Sequence, residues 1–322
     1  MKFISDTMET LKDKILRLKK EKNAVILAHY YQTGDIQDIA DFLGDSLQLS
    51  QKAAGTDADI IVFAGVHFMA ETAKILCPSK KVLIPDPEAG CSLADSIQPE
   101  DLKKLREEHP DHIVISYINT TADIKVYTDV VCTSSNAVEI VNSFPESQPI
   151  IFTPDKNMGD YINRLTGRKM LLWEGACHVH EKFSLQGMLE LKKQNPDVKI
   201  IAHPECQKPI LIVSDFIGST AALLKYIKTD SNHTYIVATE SGILHQMKKE
   251  APDKVFIPAP PVDSSCGCND CEFMKKITME KIYESLLYER YEIHLNEDVI
   301  EKAAVSIKKM LEISEKAGII KK

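Results

Sequence analysis

Three segments of the chain begin alike: "AVILAHYYQ" from Ala24, "HIVISYINT" from His112 and "VKIIAHPEC" from Val198. Each is a short apolar run that meets polar residues at its C-terminal end. The matched positions Val25, Ile113 and Lys199 stand 88 and 86 residues apart. A second set closes each repeat: "KKVLIPDPEAGC" ends at Cys91, "RKMLLWEGAC" at Cys177, and "DKVFIPAPPVDSSC" at Cys266. Strand–loop–helix grammar is self-similar even without duplication, but matched order at near-equal spacing points to a true triplication. Short apolar runs alternating with helical periodicity give each repeat a parallel sheet covered by helices. The expected fold class is therefore α/β, with three similar α/β/α units, short parallel sheets and a pseudo-threefold axis with the active site at its centre.

The expected units are 1–92, 93–177 and 178–289. The tail, 290–322, holds a long helix in "NEDVIEKAAVSIKKMLEISEK", capped by Asn296, and is expected to pack on the first unit through Ile300, Ala303, Ile307 and Met310. The first twenty residues form an amphipathic helix with Leu11, Ile15 and Leu18 on one face. Charges interrupt that stretch too often for a secretory signal. The longest apolar run, "IIVFAGVHFMA" at 60–70, is about half of what a membrane span needs. A cytoplasmic protein without membrane contact is expected, its eight cysteines reduced, so that a cysteine cluster favours metal or catalysis over disulfides. A net charge of −8 argues against a nucleic-acid partner. With 34 lysines but only five arginines, any anion site must lean on backbone amides, hydroxyls and histidines.

In parallel α/β units, functional groups gather at the C-terminal ends of strands. Three such ends around one axis would bring together Cys91, Cys177 and one of Cys266, Cys268 and Cys271. Three soft ligands suit zinc or an iron–sulfur cluster, not magnesium or calcium. "CGCNDC" alone offers three thiols, where a structural zinc site normally takes four ligands. A [4Fe–4S] cluster on three cysteines keeps one iron open to act as a Lewis acid, which favours dehydration chemistry over electron transfer. The rivals are a zinc-dependent hydrolase on the same three-cysteine site and a non-enzymatic iron–sulfur or thiol redox sensor that would need neither Cys91 nor Cys177. A dinucleotide-binding dehydrogenase ranks low, since no G-x-G-x-x-G follows the first strand.

The motifs "AHYYQ" (28–32), "GDSLQLS" (44–50), "AGCSLAD" (89–95), "YINT" (117–120), "TSSNA" (133–137), "WEGACHVH" (173–180), "HPEC" (203–206) and "IGST" (217–220) resemble, in order, the motif series of the quinolinate synthase family. The resemblance spans residues 28–274. It implies condensation of iminoaspartate with dihydroxyacetone phosphate to quinolinate, with loss of phosphate and water, in NAD biosynthesis. It also implies three domains around a [4Fe–4S] cluster held by three cysteines, and a functional link to L-aspartate oxidase. On this resemblance the third ligand is Cys271, with Met274 three residues on. Other family members carry C-x-x-C-x-x-C here, whereas this chain has C-x-C-x-x-C, which leaves Cys266 and Cys268 as a redox-sensitive pair or two spare thiols. Cys77, Cys132 and Cys206 read as small core residues.

Substrates with two carboxylates and a phosphate need donors at fixed places. "TSSNA" and "IGST" each follow a strand and open a helix, so Ser134, Thr220 and Ser219 are candidate anion binders, with Ser46 acting likewise; N-capping alone would also explain such residues. The resemblance implies Tyr31 and Glu205 as acid/base groups. His29, His203, Tyr117 and Asn119 would orient carboxylate, carbonyl or phosphate oxygens, and His29, His203 and Tyr117 join the catalytic set. His180, three residues after Cys177, would reach the same pocket.

Overall fold

Among the described residues, the strands form three four-stranded parallel sheets, and the three share one strand order. The first, β2-β1-β3-β4, uses β1 (Ala24–His29), β2 (Phe42–Gly44), β3 (Ile60–Ala64) and β4 (Lys81–Leu83). The second, β6-β5-β7-β8, uses β5 (Ile113–Tyr117), β6 (Val130–Cys132), β7 (Ile150–Thr153) and β8 (Leu171–Leu172). The third, β10-β9-β11-β12, uses β9 (Lys199–Ala202), β10 (Phe216–Ile217), β11 (Thr234–Ala238) and β12 (Val255–Pro258). This computed structural model describes residues 9–263 and 270–320; Cys266 and Cys268, and the expectation about their pairing, lie outside the described residues.

The repeat extends to register. Leu27 faces Phe42, Ile115 faces Val130, and Ile201 faces Phe216. One carboxylate clasp occurs in all three sheets: the amides of Ile26, Val114 and Ile200 donate to Oδ2 of Asp41, Asp129 and Asp215 at 2.8, 2.7 and 2.7 Å. The aspartate amides donate back to the carbonyls of Ile26, Val114 and Ile200. Edge strands of two or three residues hold their register weakly, and a one-residue slip would turn every side chain over. The clasp pins them.

Both faces of each sheet are covered, so β3 is buried along its whole length. In the third sheet, Ile200, Ala202, Ile236 and Ala238 enter one apolar cluster while Ile201, Tyr235 and Val237 enter another, the period-two division of a strand. The first sheet and one face of the second instead share one continuous core, while Val114 and Ile151 on the second sheet's other face enter a separate cluster. The last helix, Glu297–Lys316, lies in the seam between them. It was expected on the first unit. It does touch the helix His67–Leu76 there, but it packs more extensively on β6 and the helices Ala122–Val126 and Ala137–Asn142 of the second. Its small residues Ala303, Ala304 and Ser306 are buried and permit this close approach. Ser306 Oγ also donates to the Lys125 carbonyl at 3.3 Å, and Asn136 Nδ2 to Ser314 Oγ at 2.8 Å. The helix Met279–Tyr288, expected in the third unit, packs on the first unit's helix Leu11–Glu21 and sinks Ile282 and Leu286 into the shared core. No helix among the described residues is long and apolar enough to cross a membrane.

One buried lysine secures a loop that matters below. Lys125 is 0% exposed, and its ammonium donates to the carbonyls of Ile118 (3.1 Å) and Thr120, on either side of Asn119. Burial pulls it down to about 8 from the ordinary 10.5, with Glu71 of the first unit opposing. Lys125→Met should lower stability, because the Ile118 carbonyl keeps the Thr120 amide but the Thr120 carbonyl loses its donor, at a cost of roughly 1–3 kcal/mol. Between the folded and unfolded values, the unfolded wild type binds more protons than the folded one, so wild-type stability gains on the variant as pH rises. Urea unfolding at two pH values, one neutral and one midway between 8 and 10.5, should show the gap widening; a gap that narrows would mean Lys125 is not held below its ordinary value.

Candidate active site

The three sheets end on one cavity. The repeat dictates which residues arrive there. His29, Tyr117 and His203 occupy equivalent positions at the ends of β1, β5 and β9, and Tyr31, Asn119 and Glu205 follow two residues later. All six line the cavity, as do Ser46, Ser134 and Thr220, which are also equivalent to one another. His180 and the thiols of Cys91, Cys177 and Cys271 complete the lining from the expected set.

Ser219 does not line it. It is buried behind Thr220, where its hydroxyl accepts the Ala222 amide at 3.3 Å as the cap of helix Thr220–Thr229. Ser134 also departs from expectation, because the helix after β6 begins at Ala137, leaving Ser134 in the preceding turn. Asn136 enforces this: its side-chain oxygen takes the Thr133 amide at 2.7 Å and closes a turn before the helix can start. Ser46 and Thr220 are first residues of helices of nine and ten residues, as expected.

The three cysteine loops are built alike. Each cysteine is followed, three residues on, by a short 3-10 turn: Ala94–Ser96, His180–Lys182 and Met274–Lys276. Each cysteine carbonyl accepts the amide four residues on, from Asp95, Glu181 and Lys275, at 3.0, 3.0 and 3.1 Å. The turns aim amides at the sulfurs, from Leu93 and Ala94 to Cys91, from His180 to Cys177, and from Phe273 and Met274 to Cys271. This equivalence singles out Cys271 as the partner of Cys91 and Cys177 among the described residues. The loops also touch, since Ser92 Oγ lies 2.7 Å from His178 Nδ1 and the His178 ring meets Phe273 edge-on at 5.7 Å.

Burial raises Cys91 to about 12 and Cys271 to about 11, and holds Cys177 well above an ordinary thiol. These sulfurs ionise only when something positive joins them. Cys77 and Cys206 spend their S–H on the carbonyls of Ala53 and Ala238, and Cys132 is fully buried; none of the three lines the cavity. Three thiols in amide cradles around one space fit a cluster with three protein ligands. Cys177, His180 and Glu205 form a second donor set, their ligand atoms within 4.8 Å of one another, that could hold a single ion. That set leaves the matching Cys91 and Cys271 without a role, and Glu205 is already engaged.

Glu205 is 4% exposed and ties two units together. Tyr117 Oη donates to its Oε1 at 2.6 Å, and His180 Nδ1 stands 3.0 Å from its Oε2. Burial would raise this carboxyl, but facing His180 and His203 and the Tyr117 bond outweigh it, so Glu205 stays ionised well below the usual carboxylate range. From His180 the contacts continue: Nε2 lies 3.0 Å from Thr239 Oγ1, which lies 2.6 Å from Tyr31 Oη. Burial holds Tyr31 far above an ordinary phenol. The chain therefore runs from a carboxylate that keeps its charge to a phenol that keeps its proton.

His29 and His203 are lowered by burial to about 3 and about 4, hence neutral. Their Nδ1 atoms accept the amides of Tyr31 (3.2 Å) and Glu205 (3.4 Å), which leaves the ring proton on Nε2. Sequence reasoning missed Thr239, His178, Ser92 and Glu240, of which all but Thr239 line the cavity. For Ser92 and His178 a signal existed, since each directly follows a ligand-candidate cysteine.

A family profile described as "Quinolinate synthetase A protein" matches residues 13–312. A relative named quinolinate synthase from Microcystis aeruginosa is 59% identical over 300 residues, 93% of this chain and 94% of the relative. Relatives of the same name from Synechocystis sp. and Synechococcus sp. are 58% and 57% identical over the same shares of both chains.

A carboxyl lowered by folding stabilises the fold above its unfolded value, near the ordinary 4.5, and loses that contribution as pH falls below it. Glu205→Gln removes the titrating group. The stability gap between wild type and Glu205→Gln, read from denaturant midpoints, should therefore shrink on going from about pH 6 to about pH 3.5. A gap independent of pH would mean that Glu205 is not held low.

Proposed function

Since this chain belongs to the quinolinate synthetase A family, we propose that it condenses iminoaspartate with dihydroxyacetone phosphate to quinolinate, with loss of phosphate and water, as a step of NAD biosynthesis. The observation that carries this reading is the meeting of three cradled thiols with the Tyr31–Glu205 pair on one cavity. A cytoplasmic location and a functional link to L-aspartate oxidase, as the source of iminoaspartate, belong to the same proposal. Cys91, Cys177 and Cys271 would hold a [4Fe–4S] cluster, which when bound supplies a Lewis-acidic iron with an open position for substrate oxygen or nitrogen.

The chain's own residues supply binding and proton transfer. Thr220 opens a helix whose dipole favours a phosphate or carboxylate, and Ser46, at a helix start capped by the Asp45 carboxylate, and Ser134, from its turn, add hydroxyls. His29 and His203, as neutral Nε2–H donors, fit carbonyl or carboxylate oxygens without adding charge. Asn119, held by the Lys125-bound loop, offers an amide to the same space. Glu205 suits the role of proton acceptor and Tyr31 that of donor. Their environments push the two apart, which is how one site runs both kinds of step at one pH. His180 and Thr239 stand between them, so a proton taken at one end can be returned at the other. Tyr117 orients Glu205. Most of these groups are buried and the rest half-buried, which keeps water from an imine that hydrolyses readily.

Protein purified without air should be brown, with about four irons per chain as thiolate-held clusters have, and form quinolinate from the two substrates. Cys91→Ala, Cys177→Ala and Cys271→Ala should each lose the iron, whereas Cys77→Ala and Cys206→Ala keep it. Tyr31→Phe and Glu205→Gln should retain the iron yet lower kcat by about 100-fold or more. A colourless protein carrying one zinc, or cysteine variants that keep their iron, would overturn the assignment and return the zinc hydrolase to the front.

A further inference from the structure

The third repeat departs from the other two at a pair of positions that meet in space. Glu240 follows β11 where the repeat has Val66 and Asp155, and Lys275 lies four residues after Cys271 where the repeat has Asp95 and Glu181. Only in the third repeat does an acid after the strand stand opposite a base in the cysteine turn, and the two charges face each other. Glu240 is 1% exposed, and its Oε1 lies 2.7 Å from Lys275 Nζ. The same oxygen accepts the Cys271 amide at 3.1 Å, while Oε2 accepts the Gly242 amide at 2.7 Å. Lys275 Nζ donates onward to the Tyr31 carbonyl at 2.7 Å. Ser241, next in the chain, bonds Asp270, next to Cys271. Gly242 completes the junction: a Cβ there would stand 2.8 Å from Tyr31 Cα and 2.7 Å from its carbonyl carbon, so only glycine permits this approach.

We propose that Glu240 and Lys275 are positioning residues, a buried ion pair that locks the Cys271 loop of the third unit to the Tyr31 loop of the first. Through this lock a thiol of the cluster site and the proposed acid share one anchor, and neither loop shifts without breaking a buried charge pair. Removing Lys275 strands the Glu240 carboxylate in a dry environment, which makes the junction rigid rather than merely cohesive. The Cys91 loop carries no such lock: its Asp95 and the equivalent Val66 cannot pair. The proposal rests on reading Cys271 as a cluster ligand, but its first test does not need the cluster.

In the full-length chain without iron, iodoacetamide labelling followed by peptide mass spectrometry reports each thiol separately. Glu240→Ala should speed labelling of Cys271 at least tenfold and leave Cys91 at the wild-type rate. Glu240→Gln, which keeps an oxygen for the Cys271 amide but loses the charge, should fall between. In the iron-loaded protein, Glu240→Ala should release iron to a chelator several-fold faster. A folded Glu240→Ala with wild-type labelling at Cys271 sinks the proposal. Should Glu240→Ala fail to fold, Lys275→Met is read the same way, and unchanged Cys271 labelling there is equally fatal. If the wild type binds no iron at all, the cluster reading fails while the labelling result still decides the lock.

Discussion

A single buried carboxylate makes the three units interdependent. Glu205 stands almost without solvent at the end of the third sheet, and an unpaired charge there would be prohibitive. Its partners come from elsewhere: Tyr117 from the end of β5, and His180 from the turn after Cys177. The second and third units must therefore sit so that phenol and carboxylate meet at 2.6 Å, and the cysteine turn that supplies His180 is carried into place with them. Tyr31, through Thr239, brings the first unit to the same network. The polar centre is costly to bury in parts and stable only when assembled whole.

The repeat builds the frame, and departures from it build the chemistry. The aspartate clasps, sheet orders and cysteine turns recur nearly unchanged, because they solve a backbone problem common to all three units. At the strand ends the residues diverge: His29, Tyr117 and His203 in one layer, Tyr31, Asn119 and Glu205 in the next. A strictly symmetric centre would repeat one acid–base group three times. This one separates a phenol, an amide and a carboxylate, and so offers a donor and an acceptor on opposite sides of one space. Lys275, a base where the other repeats have Asp95 and Glu181, is the same kind of departure, placed one layer further out.

The units are also unequal as cores. The first sheet and one face of the second share one apolar cluster, sealed by the C-terminal helix through Ala303, Ile307 and Met310, whereas the other face of the second sheet and both faces of the third have clusters of their own. The third unit meets the others through apolar side chains, Met274 and Ile277 in the shared core and Tyr30 and Tyr31 against its own, and through polar contacts around the cavity such as the Gln37 side chain that donates to the Gly242 carbonyl at 2.8 Å. The apolar face of the C-terminal helix was visible in the sequence, but amphipathicity does not say which neighbour a helix chooses. That choice fell to Ala303, Ala304 and Ser306, whose small size admits the helix Ala122–Val126.

The sequence by itself determined the triplicated α/β frame and the strand-end residues, because apolar periodicity and an 88- and 86-residue spacing are properties of the chain. It also named the strand-end residues and the three thiols that line the cavity, since equivalent positions in equivalent strands must end on a common axis. Ser219 slipped past this logic: a hydroxyl at a helix start either caps the helix or faces a ligand, and only the direction of its side chain separates the two. The choice of Cys271 rested on a resemblance until its turn was seen to match those of Cys91 and Cys177. Tertiary structure alone decided the Tyr117–Glu205–His180–Thr239–Tyr31 chain and the Glu240–Lys275 pair. Each joins residues far apart in sequence, and hydrogen-bond partners at that range are set by how units pack, which no local pattern encodes.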